Sequence, residues 1–256
     1  MRHDEVLALF DRELRRGITP DGPDATVEQA GDVVRHVGPE HGWNGVVWSG
    51  LDAARADAAI AEQVRHFGAL GRPFEWKLYD HDEPADLGRR LLAAGFVPEP
   101  PETLMVAEAA RVAGEVALPE GVRLAPVTGP DDVEQVAHVH ELAFGPAARD
   151  RIRERLPEQL AAGSVVAVLA LAGDAAISAA RMDLHPGTRF ASLWGGGTAP
   201  EWRGRGIYRA LVAYRAREAI ARGFDYLQVD ASDMSRPILE RLGFARLAVT
   251  TPYVHP

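Results

Sequence analysis

Ala199-Pro200-Glu201-Trp202-Arg203-Gly204-Arg205-Gly206-Ile207-Tyr208-Arg209 decides how this chain is read. The segment follows an apolar, glycine-rich run, Ala191–Thr198, that reads as a strand, and it precedes a helical pattern over Tyr208–Arg222. A strand-to-helix junction aims unbonded backbone N–H groups, and the positive end of a helix dipole, at whatever stands before it. With two glycines and three arginines at that junction, the natural occupant is a phosphate group. A nucleotide-like ligand is the first expectation.

The pattern continues outward from the junction. Gly195–Gly197 are three consecutive glycines. They are costly inside a strand and imply a bulge or a close ligand. Beyond the helix, Tyr226–Ala231 reads as a strand, Arg236–Leu242 as a short helix ended by Gly243, and Leu247–Thr251 as a final strand. Upstream lie a strand near Val122–Pro126, a helix over Asp131–Phe144 with Asp131 and Asp132 in its first turn, and a helix over Asp150–Ala161. Strands Val165–Ala172 and Ala175–Asp183 follow, joined by the hairpin pair Gly173-Asp174.

The N-terminal half has the same vocabulary. Val6–Arg16 reads as one amphipathic helix, residues 19–26 as turn-rich, and Gly31–Val37 and Gly45–Trp48 as short strands. A helix over Asp52–Leu70, a strand Glu75–Tyr79, a helix Asp86–Ala94 ended by Gly95, and strands Phe96–Val97 and Thr103–Ala107 complete it. Residues 108–121, with charge, glycine and Pro119, form a candidate linker. Leu87–Phe96 echoes Ile238–Phe244: in each a helix closes on Gly-Phe between two strands. The expected class is α/β (α+β), with two related domains at 1–112 and 120–256.

Composition bounds the function. The chain has 256 residues, 46% hydrophobic and 25% charged, which suits globular domains. It has no cysteine, so disulfides, thiolate metal sites and a cysteine nucleophile are excluded. A net charge of -9 argues against general nucleic-acid binding. No apolar run approaches the ~18 residues of a membrane span, and the N-terminus lacks a secretory core, so a cytoplasmic location is expected. Lys77 is the only lysine, an arginine bias that fits a GC-rich genome.

Pro200–Ile207 resembles the acyl-CoA pyrophosphate motif of the GCN5-related N-acetyltransferase (GNAT) superfamily, Arg/Gln-x-x-Gly-x-Gly/Ala. Arg203 takes the first position, Gly206 the fourth, and Tyr208 stands where the family has Gly or Ala. Arg236-Pro237-Ile238-Leu239-Glu240-Arg241-Leu242-Gly243-Phe244 is similar to the family's closing segment. The resemblance covers the C-terminal half. It implies two GNAT-like mixed, mostly antiparallel sheets flanked by helices, with a degenerate N-terminal copy that lacks the Arg-Gly-x-Gly turn. It further implies acetyl-CoA as acyl donor, bound by Gly197, Thr198, Arg203, Gly204, Arg205, Gly206, Ile207, Tyr208, Arg209 and Ser232, with no metal.

Acyl transfer to an amine needs a neutral amine, a polarised thioester carbonyl and a proton for the leaving thiolate. The family often takes that proton from a tyrosine in the closing segment, where this chain has Leu239. Tyr208, Ser232, Ser235 and Tyr253 are the candidate acids; water, or departure of the thiolate unprotonated, are the other routes. Asp183 and Asp230 are candidate bases, Glu201 borders the turn, and His140 and Glu141 are placed to line an acceptor pocket. The expected function is transfer of an acetyl group from acetyl-CoA to an amine of a small molecule or peptide, by direct attack in a ternary complex. The alternative is a non-catalytic acyl-CoA sensor or scaffold, suggested by Leu239. A nucleotide-dependent ligase or kinase is disfavoured, because the turn lacks a Gly-Lys-Ser/Thr ending. The oligomeric expectation is a monomer or homodimer.

Overall fold

The computed structural model describes residues 1–22, 24–40 and 42–256. Pro23, within the turn-rich stretch 19–26, and His41 lie outside the described residues. In chain order the elements are α1 (His3–Phe10), β1 (Thr26–Ala30), β2 (Val33–Val37), β3 (Asn44–Ser49), α2 (Ala56–Leu70), β4 (Phe74–Tyr79), α3 (Leu87–Ala93), β5 (Val97–Pro98), β6 (Glu102–Glu108) and α4 (Ala109–Val112). They continue with β7 (Val122–Pro126), α5 (Pro130–Phe144), α6 (Pro146–Ala161), β8 (Val165–Ala172), β9 (Ala175–Leu184), β10 (Phe190–Thr198), α7 (Ile207–Ala221), β11 (Tyr226–Ala231), α8 (Arg236–Arg241) and β12 (Ala245–His255). Two compact units result. The first is Met1–Met105, Asp230–Ile238 and Arg246–Pro256; the second is Val106–Val229 and Leu239–Ala245. The units therefore do not follow a single cut in the chain.

In the first unit β1, β2 and β3 pair antiparallel, β3 and β4 run parallel, and β12 lies antiparallel to both β4 and β5. Ile60 and Phe67 of α2, with Leu87 and Leu91 of α3, bury against Val46, Phe74 and Trp76 of the strands. Phe67 stacks on Phe74 at 4.3 Å between ring centroids. α2 stops where Gly71 takes φ +65, a left-handed C-terminal residue.

Two expectations change here. The helix over Val6–Arg16 ends as an α-helix at Phe10 and continues to Arg16 as a π-helical turn. The cause is Arg15, a charged residue that the turn buries. Its Nε donates to the Val47 carbonyl at 3.0 Å, its Nη2 bonds both oxygens of Asp82 at 2.8 and 2.7 Å, and its Nη1 bonds Asp11 at 2.8 Å. A widened turn is a known way to place one side chain off the regular helical face. The second change is β1, which begins at Thr26, the last residue of the turn-rich stretch, and runs through residues 27–30, where no element was expected. Glu28 and Gln29 hide it from a hydrophobicity reading, yet Glu28 accepts from Arg35 across the hairpin at 2.8 and 2.6 Å.

In the second unit β7, β8, β9 and β10 form an antiparallel meander, and β11 joins β10 in parallel. Alternate residues of β8 serve opposite faces, as a pleated strand requires. Val165, Ala167 and Leu169 pack with Val136 and Val139 of α5 and Leu156 of α6. Val168 and Ala170 pack with Ile207 and Leu211 of α7. Both units are thus mixed, mostly antiparallel sheets flanked by helices. The candidate linker begins inside β6 and α4: Ala109 N–H donates to the Asp225 carbonyl at 2.8 Å, and Arg217 reaches the carbonyls of Ala113 and Gly114. Residues 113–121 are the irregular part.

Candidate functional site

α7 begins without a side-chain cap. Gly206 is its N-terminal residue at φ +82, and Gly204 sits at φ +74. The first intrahelical bond recorded is Ala210 N–H to the Gly206 carbonyl at 3.2 Å. The N–H groups of Ile207, Tyr208 and Arg209 therefore point out of the helix end with no partner in the first turn. A Cβ on Gly204 or Gly206 would meet nothing within 4 Å, so the backbone angle is what demands glycine there. Arg203 donates from Nε to the Thr198 carbonyl at 3.1 Å, tying the turn to the end of β10. The Arg205 guanidinium lies over the Trp202 ring at 4.8 Å. Arg203, Gly204, Arg205 and Arg209 are all exposed.

β10 is the second wall. Its pairing with β11 runs over Phe190, Ala191 and Ser192. Beyond Ser192 the β10 edge carries backbone groups that β11 does not take up. On its other side, the register with β9 slips between Trp194 and Gly197, and Gly195 takes φ +56. The expected bulge is present. Its close neighbours are the protein's own rings. A Cβ on Gly195 would lie 2.6 Å from His140 Cε1, one on Gly196 2.7 Å from Tyr208 Cε2, and one on Gly197 2.9 Å from Phe144 Cε2. His140 and Phe144 are one turn apart on α5, and Tyr208 is on α7, so the strand is gripped alternately from its two faces.

The groups around the bulge are buried and polar. His140 is 5% exposed, and burial, with Arg181 and Arg151, pushes its pKa down to about 4; the Gly195 backbone opposes this in part. Arg215, 1% exposed, donates to the Leu211 and Arg181 carbonyls at 3.1 and 2.9 Å, and burial lowers it to about 10. Burial raises the Tyr208 phenol, which neighbours the Arg215 guanidinium. His185 Nε2 lies 2.8 Å from Ser192 Oγ, and burial pushes it down to about 4. Asp183 is half-buried and sits opposite Ser192 in the β9–β10 register.

The second unit thus brings together Gly197, Thr198, Arg203 to Arg209, and His140. Glu141 accepts from Arg149 at 3.2 and 3.1 Å. Leu239 is fully buried. Ser232, Ser235, Asp230 and Tyr253 belong to the first unit. There Ser235 Oγ donates to the Ser232 carbonyl at 3.2 Å, and Asp230 pairs with Lys77 at 2.5 Å. The Tyr253 hydroxyl stands 2.7 Å from where a Gly88 Cβ would be, against α3. Phe144, Arg181 and Arg215 escaped the sequence reading. Arg215 carried a signal, a charge four residues after Leu211 within an apolar helical run. Phe144 carried another, an aromatic one turn after His140. Among the described residues no cluster of His, Asp and Glu fits a metal ion, and no helix is long and apolar enough to cross a membrane.

A helix N-terminus open to an anion thus stands beside a strand edge that its neighbour leaves. Residues 133–244 match the family model described as Acetyltransferase (GNAT) family. Over those residues, under half of the chain, it is similar to the GNAT-family acetyltransferases, whose general chemistry is acyl transfer. Solved structures extend the likeness of fold beyond that domain. A GCN5-related N-acetyltransferase from Kribbella flavida matches at TM-score 0.73 and 19% identity, over 100% of this chain and 96% of its own. A functionally unknown conserved protein from Staphylococcus epidermidis matches at 0.70 and 13%, over 93% and 96%. A tandem GNAT protein from the clavulanic acid biosynthesis pathway matches at 0.66 and 14%, over 99% and 95%. At these identities the likeness shows the fold. No curated protein is significantly similar in sequence.

Proposed function

We propose that the protein is an acetyl-CoA-dependent N-acetyltransferase, with residues 120–256 as the donor-binding copy and residues 1–112 as a degenerate one. The open N-terminus of α7, with Gly204 and Gly206 in left-handed conformation, carries the proposal. In this reading the N–H groups of Gly204 to Arg209 receive the pyrophosphate, and Arg203, Arg205 and Arg209 add positive charge around it. The pantetheine amides run along the β10 edge past Gly197 and Thr198. A neutral amine of a small molecule or peptide attacks the thioester carbonyl in a ternary complex. The C–N bond forms, the C–S bond breaks, and coenzyme A leaves as a thiol. A cytoplasmic protein, acting without metal, nucleic acid or membrane, completes the proposal.

Isothermal titration with acetyl-CoA is the test of the donor site. Binding of one molecule per chain is expected, and no heat at millimolar acetyl-CoA overturns the reading. A second reading is an acyl-CoA sensor, favoured by the burial of Leu239 at the usual tyrosine position. Thiol release dependent on an added primary amine excludes the sensor; binding without release from any amine supports it.

A further inference from the structure

His140 is the buried group around the bulge whose chemistry is unspent. Its Nε2 is fully covered and has no hydrogen-bond partner of sound geometry among the described residues. A buried polar atom left so is destabilising and calls for an explanation. The ring stands over Gly195, where β10 takes φ +56 on the strand proposed to carry the acyl donor. It is close to solvent: Phe144, 55% exposed, meets its edge with centroids 5.5 Å apart. The charged groups that bear on it are Arg181 of β9 and Arg151 of α6, both of which disfavour an imidazolium. Burial and the two arginines outweigh the Gly195 backbone, whose hydrogen bond to the ring favours the charged form, so the imidazole is neutral.

We infer that His140 Nε2 accepts a hydrogen bond from the substrate's amine at the Gly195 bulge and relays its proton. The inference rests on the acetyltransferase reading above. As the amine nitrogen bonds to the acyl carbon and the C–S bond breaks, one N–H proton passes through Nε2 to the departing sulfur. The amide and the free thiol are the products, and the imidazole returns to its neutral form. A thiolate, with an unperturbed pKa of ~8.5, takes a proton readily from an imidazolium held well below that value. This route supplies the proton that Leu239 cannot.

The test uses the full chain, acetyl-CoA and a panel of primary amines: a hexosamine, a polyamine, an aminoglycoside and a peptide with a free N-terminus. With the amine that turns over best, His140→Ala is expected to lower kcat by about 100-fold or more. The acetyl-CoA Kd by titration is expected to stay within about threefold, under half of the 1.4 kcal/mol that a tenfold change represents. His140→Gln, which keeps an acceptor oxygen, is expected to recover part of kcat. Retention of kcat in His140→Ala overturns the inference while the acetyltransferase reading stands; so does loss of kcat and acetyl-CoA affinity together. Should the variants fail to fold, the ¹⁵N shift of His140 Nε2 in the wild-type protein decides: it moves when that amine is added to the coenzyme A complex, or the inference falls. Acetyl-CoA binding without turnover of any amine removes the inference and the enzymatic reading together, whereas absence of acetyl-CoA binding removes the donor site itself.

Discussion

The His140 ring occupies the space that a side chain on Gly195 would need, with Cε1 2.6 Å from the position of a Cβ there. Gly195→Ala therefore meets two penalties: left-handed backbone at φ +56, and a ring held inside the fold. The backbone alone costs about 1–3 kcal/mol. The melting temperature is expected to fall by about 2–4 °C per kcal/mol lost. A thermal scan showing no change would mean that neither the backbone angle nor the ring resists a side chain at Gly195.

Gly196 and Tyr208 make the same kind of pair on the opposite face, at 2.7 Å. Gly196→Ala is expected to destabilise by about 1–3 kcal/mol through overpacking. Combined with Tyr208→Ala, part of that loss should return, with an interaction energy of about 0.5–3 kcal/mol in a double-mutant cycle. Urea unfolding measures it. Strict additivity would show that the ring and the strand do not touch.

Gly204 and Gly206, in the turn before α7, separate strain from binding. Ala at Gly204 or Gly206 meets no atom but keeps a positive φ, which costs about 1–2 kcal/mol. If the turn relieves that strain by rotating its N–H groups, acetyl-CoA affinity should fall about tenfold per 1.4 kcal/mol. Gly187→Ala in the β9–β10 connection, φ +83 and equally open, is the control. It should lose stability with affinity unchanged.

Acid should unfold the protein from about pH 6.5 downward. His140 and His185 are both held near pKa 4 when folded, against an ordinary value of 6.5. Between those values the unfolded chain binds more protons, so stability falls as pH falls. It is fully present above pH 6.5 and lost toward pH 4. Each depression of 2.5 units (6.5 − 4) corresponds to about 3 kcal/mol at 1.36 kcal/mol per unit. His185→Asn should flatten part of the pH dependence of the denaturation midpoint. An unchanged slope would show that His185 titrates normally.

In the first unit, Lys77 and Asp230 form an ion pair with side chains 18% and 3% exposed. Burial disfavours the Lys77 ammonium, but Asp230, with Tyr79 and Glu75, outweighs it and raises its pKa. Lys77→Met should cost about 3–5 kcal/mol, because it removes the cation from a buried carboxylate. Adding Asp230→Leu should recover much of that. Equal stability of the single and double variants would show that the pair is well hydrated.

The second unit was the more legible part of the sequence. Its strands read as apolar runs, its hairpin had Gly173-Asp174, and the turn at 203–206 announced its own backbone angles. The triple glycine announced a bulge, but its neighbours were three aromatic rings from two helices, and a linear pattern carries no information about which helix crosses which strand. Arg15 drew no notice because a charged residue in a surface-like helix is ordinarily solvated. Its burial depends on Asp82, far along the chain. β1 was missed because Glu28 and Gln29 suppress the alternation that marks a strand.

β12 completes the first unit from the far end of the polypeptide. Thr250 Oγ1 donates to the Leu78 carbonyl at 3.1 Å, across 172 residues of sequence. β4 thus waits for its β12 partner until 172 further residues have been synthesised. Until then a strand edge stays open to other chains, a standing risk of mispairing on the ribosome. Loop closure over such a separation also delays the contact relative to local ones. The maturation of the first unit is in this way timed by β12.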